Sequence, residues 1–456
     1  MKKIILLVLP VILNQLPESF LTGNLLAQTW HPLGSGVSIN GNWGDIYVIR
    51  EINNELYIGG SFTEINGYPA NSIVKFNGNI FDSLGGGMPQ LCFNGGVKTL
   101  EIYNGNIYMG GDFECVDWLP NTKNLAKWDG VEWSSVTGSN NAGAPRALQY
   151  KDDLYIGGGF FSGYGVNGKG IVKYNGSVFD NMKGGIDGPW WPSVWTMAVY
   201  NDELIIGGQF NRAGNKVGYN NIARWNGTDW DSLGGGVNNW VASMVVDTVN
   251  NILYISGAFY ADSLKWVAGW DGTNWLPVGS PPMGFNALAI FNGELYGGGE
   301  SQTSDTFLMG YNGAQWSKVP GPNGWVTNLT VYKGNLYVGG YFDKIDTMTV
   351  NHIACYGNSC PFTIGVKEFQ VESSRFKIYP NPLKKELTVE IVGANEKAHE
   401  EKYFVSIKNT QGKQVFDKPF GKKIVINTSK LPKGLYLVEV CNAAGEECET
   451  RKVMVE

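Results

Sequence analysis

Six segments of this chain place one or two aromatic side chains just ahead of a hydrophobic run: Trp43, Phe93, Trp190 with Trp191, Trp240, Phe285 and Trp325. Aromatic faces held in loops stack on sugar rings or peptide side chains; the same rings also serve as core filling, because each buries a large apolar area. The run Gly188-Pro189-Trp190-Trp191-Pro192 favours exposure, since two adjacent tryptophans between prolines do not both bury easily. Other reactive groups are sparse. Of the three histidines, His399 lies near the C-terminus, while His31 and His352 fall in one repeat unit. Hairpin pairing there sets His352 opposite Pro32 and turns His31 to the other side of the sheet, which disfavours a shared metal or a dyad. No GxSxG, HExxH, P-loop or EF-hand phrase occurs. Glu64, Asp112, Glu300, Asp343 and Asp346 follow glycine pairs, but no spacing recurs as a ligand set and solvated loop charge accounts for them. No catalytic residue, metal site or cofactor is read from the sequence.

The six cysteines form three local pairs, Cys92 with Cys115, Cys355 with Cys360, and Cys441 with Cys448, as expected of an oxidising destination. A two-residue turn at Gly357-Asn358 would put Cys355 opposite Cys360 within disulfide reach. A zinc site is the weaker reading, since no CxxC occurs.

The elements that must hold these residues are announced by a repeat. Leu56-Tyr57-Ile58-Gly59-Gly60 returns in related form at Ile107, Leu154, Leu204, Leu253, Leu295 and Leu336, at intervals of 51, 47, 50, 49, 42 and 41 residues. After the glycines comes an aromatic, then Asn-Gly or Asp-Gly, then a second aromatic five positions after the first, as in Trp128/Trp133, Trp225/Trp230 and Trp270/Trp275. Asn-Gly between apolar runs predicts a type I′ hairpin with positive φ at both central residues. A second tight turn precedes the glycine phrase, as in Asn104-Gly105 and Lys333-Gly334. One unit is thus four short antiparallel strands, exemplified by a (Met197 to Tyr200), b (Glu203 to Gly208), c (Asn221 to Asn226) and d (Thr228 to Leu233). Units of this size, rich in glycine and aromatics, match the blade of a β-propeller.

The seventh unit lacks a strand d, because Gly357 to Pro361 offers no aromatic and proline is poor strand material. Thr29 to Gly34 carries a strand-d pattern ahead of the first strand a. The expected fold is therefore all-β, a seven-bladed propeller over 29–360 closed by the N-terminal strand, which removes exposed edges. The paired glycines followed by spaced aromatics resemble kelch-type and galactose-oxidase-like propellers. That resemblance implies architecture and no chemistry. A copper oxidase of the galactose-oxidase kind would need a tyrosine and histidine ligand set that has no counterpart here.

Residues 1–28 read as an export signal: Lys2-Lys3, an apolar run from Ile4 to Leu13 too short to span a bilayer, and a cleavage position near Leu25-Leu26-Ala27-Gln28. No other stretch reads as an integral membrane segment. Beyond residue 366 the composition changes. All 16 tryptophans and 57 of the 62 glycines precede residue 367. Residues 28–366 carry a net charge of −10 and 367–456 one of +3, so the acidic propeller is a poor partner for nucleic acid. Residues 361–375 read as a linker and 376–456 as a small antiparallel β-sandwich of immunoglobulin-like type. Ile378-Tyr379-Pro380-Asn381-Pro382, the Val405 to Val415 stretch and Leu431-Pro432-Lys433-Gly434-Leu435-Tyr436 resemble the type A C-terminal sorting domain of type IX secretion. The resemblance implies recognition by that secretion machinery, removal of the tail, and an extracellular or outer-membrane surface location. Three functions compete: a secreted or surface-displayed module binding glycan or protein, a glycan-acting lyase or hydrolase, and a purely structural surface protein. The absence of a catalytic set favours binding.

Overall fold

The computed structural model describes residues 28–39, 42–78, 80–88, 92–136, 146–161, 165–189, 191–261, 264–300, 307–360, 376–379, 385–391, 403–409, 413–442 and 448–455. The expected signal up to residue 27 and the expected linker 361–375 lie outside them. The chain divides into two compact units, Met1–Gly365 and Val366–Glu456.

In the first unit every repeat is a four-stranded antiparallel sheet ordered a-b-c-d, with no α-helix among the described residues. The fourth runs Ser193–Tyr200, Glu203–Gln209, Ile222–Trp225 and Trp230–Ser232, so strand a is longer and strand d shorter than the sequence pattern implies. In the seventh, Trp325–Tyr332, Asn335–Tyr341 and Ile353–Gly357 are joined by Thr29–Pro32, with Trp30 opposite Tyr356 and Pro32 opposite Ala354.

The two turn types differ from one another. At five of the a–b turns both central residues take positive φ, as at Asn104-Gly105 (48° and 75°) and Lys333-Gly334 (48° and 73°), which is type I′ geometry. The c–d turns were expected to match them and do not. There only the glycine is left-handed, as at Gly227 (φ 108°), and the preceding Asn or Asp accepts backbone N–H groups instead. Asn226 Oδ1 takes Thr228 N–H at 2.8 Å and Asp229 N–H at 2.9 Å, and Asp129, Asn175, Asp271 and Asn312 each do the same. Either side chain offers the acceptor, which explains why Asn and Asp alternate at this position.

Neighbouring sheets are tied by contacts that recur. The indole N–H of a strand-d tryptophan donates to a carbonyl of the preceding repeat: Trp133 to Leu84 (2.8 Å), Trp230 to Met182 (2.9 Å) and Trp316 to Val278 (2.7 Å). Trp30 donates likewise to Pro320 O at 2.7 Å. Strand-a tyrosines reach the a–b turn of the next repeat, Tyr103 to Asp152 O, Tyr150 to Asp202 O and Tyr200 to Asn251 O. Tyr332 of the seventh repeat donates to Asn54 O of the first at 3.0 Å. The first glycine of the b-strand pair lies against an aliphatic residue of the following strand a; a Cβ on Gly207 would meet Val241, and one on Gly339 would meet Ile46. Bulk is excluded at these glycines by close approach of the next sheet.

Two disulfides fall in this unit, Cys92–Cys115 and Cys355–Cys360, with Cα separations of 4.9 and 5.9 Å. The second is not the cross-strand pair expected. Thr29–Pro32 occupies that edge, so Cys355 lies between Tyr337 and His31 in the sheet and reaches Cys360 outside it. His352 does not face Pro32 either. Asn351 and His352 hold positive φ (40° and 76°), the strand starts only at Ile353, and the pairing is offset by two residues.

The second unit has a three-stranded sheet (Phe376–Tyr379, Glu386–Ile391, Lys423–Asn427) and a four-stranded one (Gln414–Phe420, Tyr403–Asn409, Gly434–Asn442, Cys448–Val455). They share one core, including Leu387, Val389, Val405, Ile426, Val438 and Val440. Alternating burial in Glu386–Ile391 is the signature of a half-buried strand. Cys441 stands opposite Cys448 in the ladder and is disulfide-bonded.

Candidate functional site

The first strands of the seven repeats, from Asp45–Ile52 to Trp325–Tyr332, line a common cavity of about 470 Å³. In five of them the pairing slips by one residue, between Ile46/Val48, Val97/Thr99, Val194/Thr196, Val241/Ser243 and Val326/Asn328. The extra residues are Tyr47, Lys98, Trp195, Ala242 and Thr327, and all five line the cavity. A β-bulge re-aims one side chain without ending the strand, so this recurring bulge sets what the cavity wall presents.

Charge on that wall is concentrated in the first three repeats. Arg50 pairs with the buried Glu101 at 2.6 Å, and Lys98 pairs with Asp112. Burial raises the Glu101 pKa against the pull of Arg50. Arg146 donates through Nε to Trp195 O at 3.0 Å, and its Nη1 has no hydrogen-bond partner. Desolvation lowers the Arg146 pKa, with Asp112 opposing. Beside the cavity, desolvation lifts Asp45 to about 6, opposed by the hydrogen bond that Tyr47 donates to it.

The d–a and b–c segments meet at one end of the sheets: Thr63 N–H donates to Ser38 O at 2.8 Å, Asn211 N–H to Asp187 O at 3.1 Å and Asn323 N–H to Lys344 O at 3.0 Å. The aromatics singled out by sequence lie in these d–a segments or, as Phe93 and Trp325 do, open strand a, and they part company. Trp191 is 58 % exposed, its ring edge-on to Phe161 at 4.5 Å and its indole N–H donated to Gly159 O. Trp240 is 40 % exposed, edge-on to Trp195 at 4.7 Å, and Trp325 is 42 % exposed beside Tyr341 at 5.7 Å. Phe285 is fully buried against Trp316 and cannot serve as a stacking face. Its backbone N–H is held by Ser256 Oγ at 2.8 Å, which draws the segment inward. Trp43 opens no wider question of fold, pairing with Ser38 through its backbone, and Phe93 begins a strand; the side chains of both, and all of Trp190, lie outside the described residues.

Trp240, Trp266, Met283, Asn286 and Glu300 border a second hollow of about 380 Å³ between the fifth and sixth repeats. Of the carboxylates noted by sequence, only Glu300 borders it. Glu64 is paired with Ser38, Asp112 with Lys98 and Asp343 with Asn323 in separate repeats. His352 is buried, with Nδ1 3.1 Å from Gly340 O, and His31 Nε2 lies 2.8 Å from Thr29 Oγ1.

Sequence reasoning missed Lys98, Arg146 and Trp195. For Lys98 and Trp195, aligning the repeats on the strand-a aliphatic (Ile46, Val97, Val194, Val241, Val326) exposes a signal, since the next residue varies freely while an apolar residue returns three places after the aliphatic (Ile49, Leu100, Met197, Met244, Leu329).

Residues 377–456 match the Secretion system C-terminal sorting domain, and residues 53–79 match a Domain of unknown function (DUF5122) beta-propeller. No curated protein sequence matches the chain. Among solved structures, PorZ, a surface component of the type IX secretion system of Porphyromonas gingivalis, is similar at 14 % identity and TM-score 0.36, covering 90 % of this chain and 66 % of PorZ. The extracellular domain of the putative hybrid two-component system BT3049 from B. thetaiotaomicron is similar at 10 % identity and TM-score 0.35, covering 90 % and 67 %. CoXyl43, a GH43 β-xylosidase/α-arabinofuranosidase from a compost metagenome, follows at 9 % and 0.26, covering 72 % and 92 %. The sorting domain marks the chain as cargo of the type IX machinery, exported to the cell surface or extracellular space. No helix among the described residues is long and apolar enough to cross a membrane.

Proposed function

We propose that this is a surface-displayed binding protein, a seven-bladed propeller of kelch-like or galactose-oxidase-like blade type closed by Thr29–Pro32, which meets a glycan or protein ligand with its d–a loop face. The observation that carries this reading is the exposure of Trp191 and Trp240 in d–a segments and of Trp325 at the first residue of strand a, in three different repeats. An exposed indole gives up solvation at little cost and returns stacking area when a flat ligand arrives. Trp240 adds to this a hollow with Trp266 and Glu300 on its rim, the mix of apolar wall and a few polar groups usual in ligand sites. Export fits the same role. The signal 1–28 is cleaved, 376–456 is read by the secretion machinery and removed, and cleavage falls in 361–375.

Intact-mass measurement of the protein recovered outside the cell tests the processing; a chain still ending at Glu456 overturns it. Glycan and peptide arrays probed with the wild type and with Trp240→Ala test the binding. Loss of an array signal in a variant that keeps its thermal midpoint supports the reading. An array blank for the wild type leaves the structural role as the better account.

A further inference from the structure

The cavity lined by the first strands has a chemistry distinct from the loop face. Its cations sit on one side, Arg50, Lys98 and Arg146 from three consecutive repeats. Two of them are neutralised in place, Arg50 by Glu101 at 2.6 Å and Lys98 by Asp112. Glu51, the acid that lines the cavity itself, is turned to the a–b turn, where its Oε1 accepts Asn54 N–H. Arg146 therefore stands as the cation with no carboxylate at ion-pair distance among the described residues, Asp112 acting on it only from farther off and its one hydrogen bond being made through Nε. The opposite wall, from the fifth, sixth and seventh repeats, is neutral and polar, with Ser243, Asn286 and Asn328. Trp195, whose carbonyl Arg146 holds, stands between the two sides.

We propose that this cavity binds a small hydroxylated carboxylate, a sugar acid of the hexuronic type, with its carboxylate on Arg146 beside Lys98. A guanidinium not paired to a carboxylate in place matches a monoanion, and its planar shape matches a planar carboxylate. Hydroxyl groups of the ligand find donors and acceptors in Ser243, Asn286 and Asn328, and the apolar face of a pyranose ring finds Trp195. A cavity of about 470 Å³ is of ligand size. The site adjoins Trp240, which packs on Trp195, and shares Asn286 with the hollow beside it, but it stands whether or not the loop tryptophans bind anything.

Titration calorimetry on the full exported chain, with glucuronate and galacturonate against glucose, acetate and inorganic phosphate, tests it. Expected is binding of a uronate in preference to all three controls. Arg146→Gln should weaken it by roughly ten- to a hundredfold, the loss of a charged hydrogen bond, with Arg146→Lys in between. Trp191→Ala, whose ring packs on Phe161 and whose indole N–H is held by Gly159 O, should leave uronate binding unchanged, which separates this site from that part of the loop face. No uronate binding, or acetate or phosphate bound as tightly as the uronates, overturns the proposal. So does a folded Arg146→Gln protein that binds uronate like the wild type, which would make Arg146 a strut for the Trp195 carbonyl. If Arg146→Gln does not fold, Lys98→Gln replaces it, with a severalfold weakening expected and unchanged affinity counting against the site.

Discussion

In strands c and d an aromatic returns at the same positions from repeat to repeat, whereas the residue bulged out of strand a differs in kind each time: Tyr47, Lys98, Trp195, Ala242 and Thr327. The outer pair Trp225/Trp230 (5.0 Å apart) is matched by Trp128/Trp133, Trp270/Trp275 and Phe76/Phe81. The outer edges share one task, to pack an aromatic on the neighbouring sheet, and where the strand-d aromatic is tryptophan it also hands an indole N–H to that sheet's backbone. A bulged residue faces the cavity, where packing imposes nothing common. Uniformity therefore marks positions held by the architecture, and variation within an otherwise faithful repeat marks positions free to carry function.

The comparison is tested most severely at Trp30. Removing residues 28–34 takes away the strand paired with Ile353–Gly357, the ring 4.7 Å from Tyr356 and the indole bond to Pro320 O. Loss of a large packed aromatic alone costs about 3 to 5 kcal/mol, and an uncovered strand edge invites aggregation. A chain beginning at Gln28 should melt like the intact one. Equal midpoints for the two truncations would remove Thr29–Pro32 from the set of architectural strands.

Next in size is the glycine pair. Gly207→Val puts a branched side chain where a Cβ already meets Val241, Met244 and Thr196, and overpacking of this kind costs about 1 to 3 kcal/mol. Ala242→Ser, at a bulge on the adjoining strand, should stay within about 0.5 kcal/mol. Denaturant midpoints measured together decide it, and equal losses would erase the distinction between the two classes of position.

What could be read from sequence follows the same division. The b-strand glycines, the c and d aromatics and the strand-d pattern around Trp30 were legible because packing demands one residue type at one spacing. The bulge was not, since it arises from a register slip that any residue tolerates. The c–d turns misled because Asn-Gly satisfies two geometries, a type I′ turn and an Asn-capped loop, and the difference lies in the φ of Asn226 and its counterparts. Phe285 could not be sorted from Trp240 by position, as Ser256 Oγ, which draws its backbone inward, comes from another strand. The register of His352 failed because strand c starts late, after two residues in the left-handed region.

A smaller effect concerns Asp45, beside the bulged Tyr47. Its folded pKa of about 6 lies above the ordinary 3.8, chiefly through desolvation, with Tyr47 opposing through its hydrogen bond and His352 3.9 Å away. His352 is itself held neutral by burial, its pKa lowered. A raised carboxyl pKa favours the protonated fold, so its stabilisation is complete below about pH 4 and is lost as pH climbs through about 6. Asp45→Asn should accordingly be more stable than wild type at pH 7 by about 1 to 2 kcal/mol, reduced from the full linkage value because the side chain is partly exposed. The gain should vanish near pH 4. A difference independent of pH would place the Asp45 effect in packing instead of charge.

A small expected change in stability belongs to Trp191, and it bears most on function. Its ring touches Phe161 edge-on, and its indole N–H is satisfied by Gly159 O at 3.1 Å, so alanine loses one aromatic contact and one exposed hydrogen bond. Because the side chain is 58 % exposed, that loss should remain near 1 kcal/mol, well below the cost at Trp30. If the loop face recognises ligand, the same substitution should reduce binding on an array far more than it lowers the melting point, since a stacking surface contributes to the complex and little to the free fold. A Trp191→Ala protein that melts several degrees lower would move this residue into the architectural class. One that keeps both its midpoint and its binding would confine recognition to Trp240, Trp325 and the hollow beside Glu300.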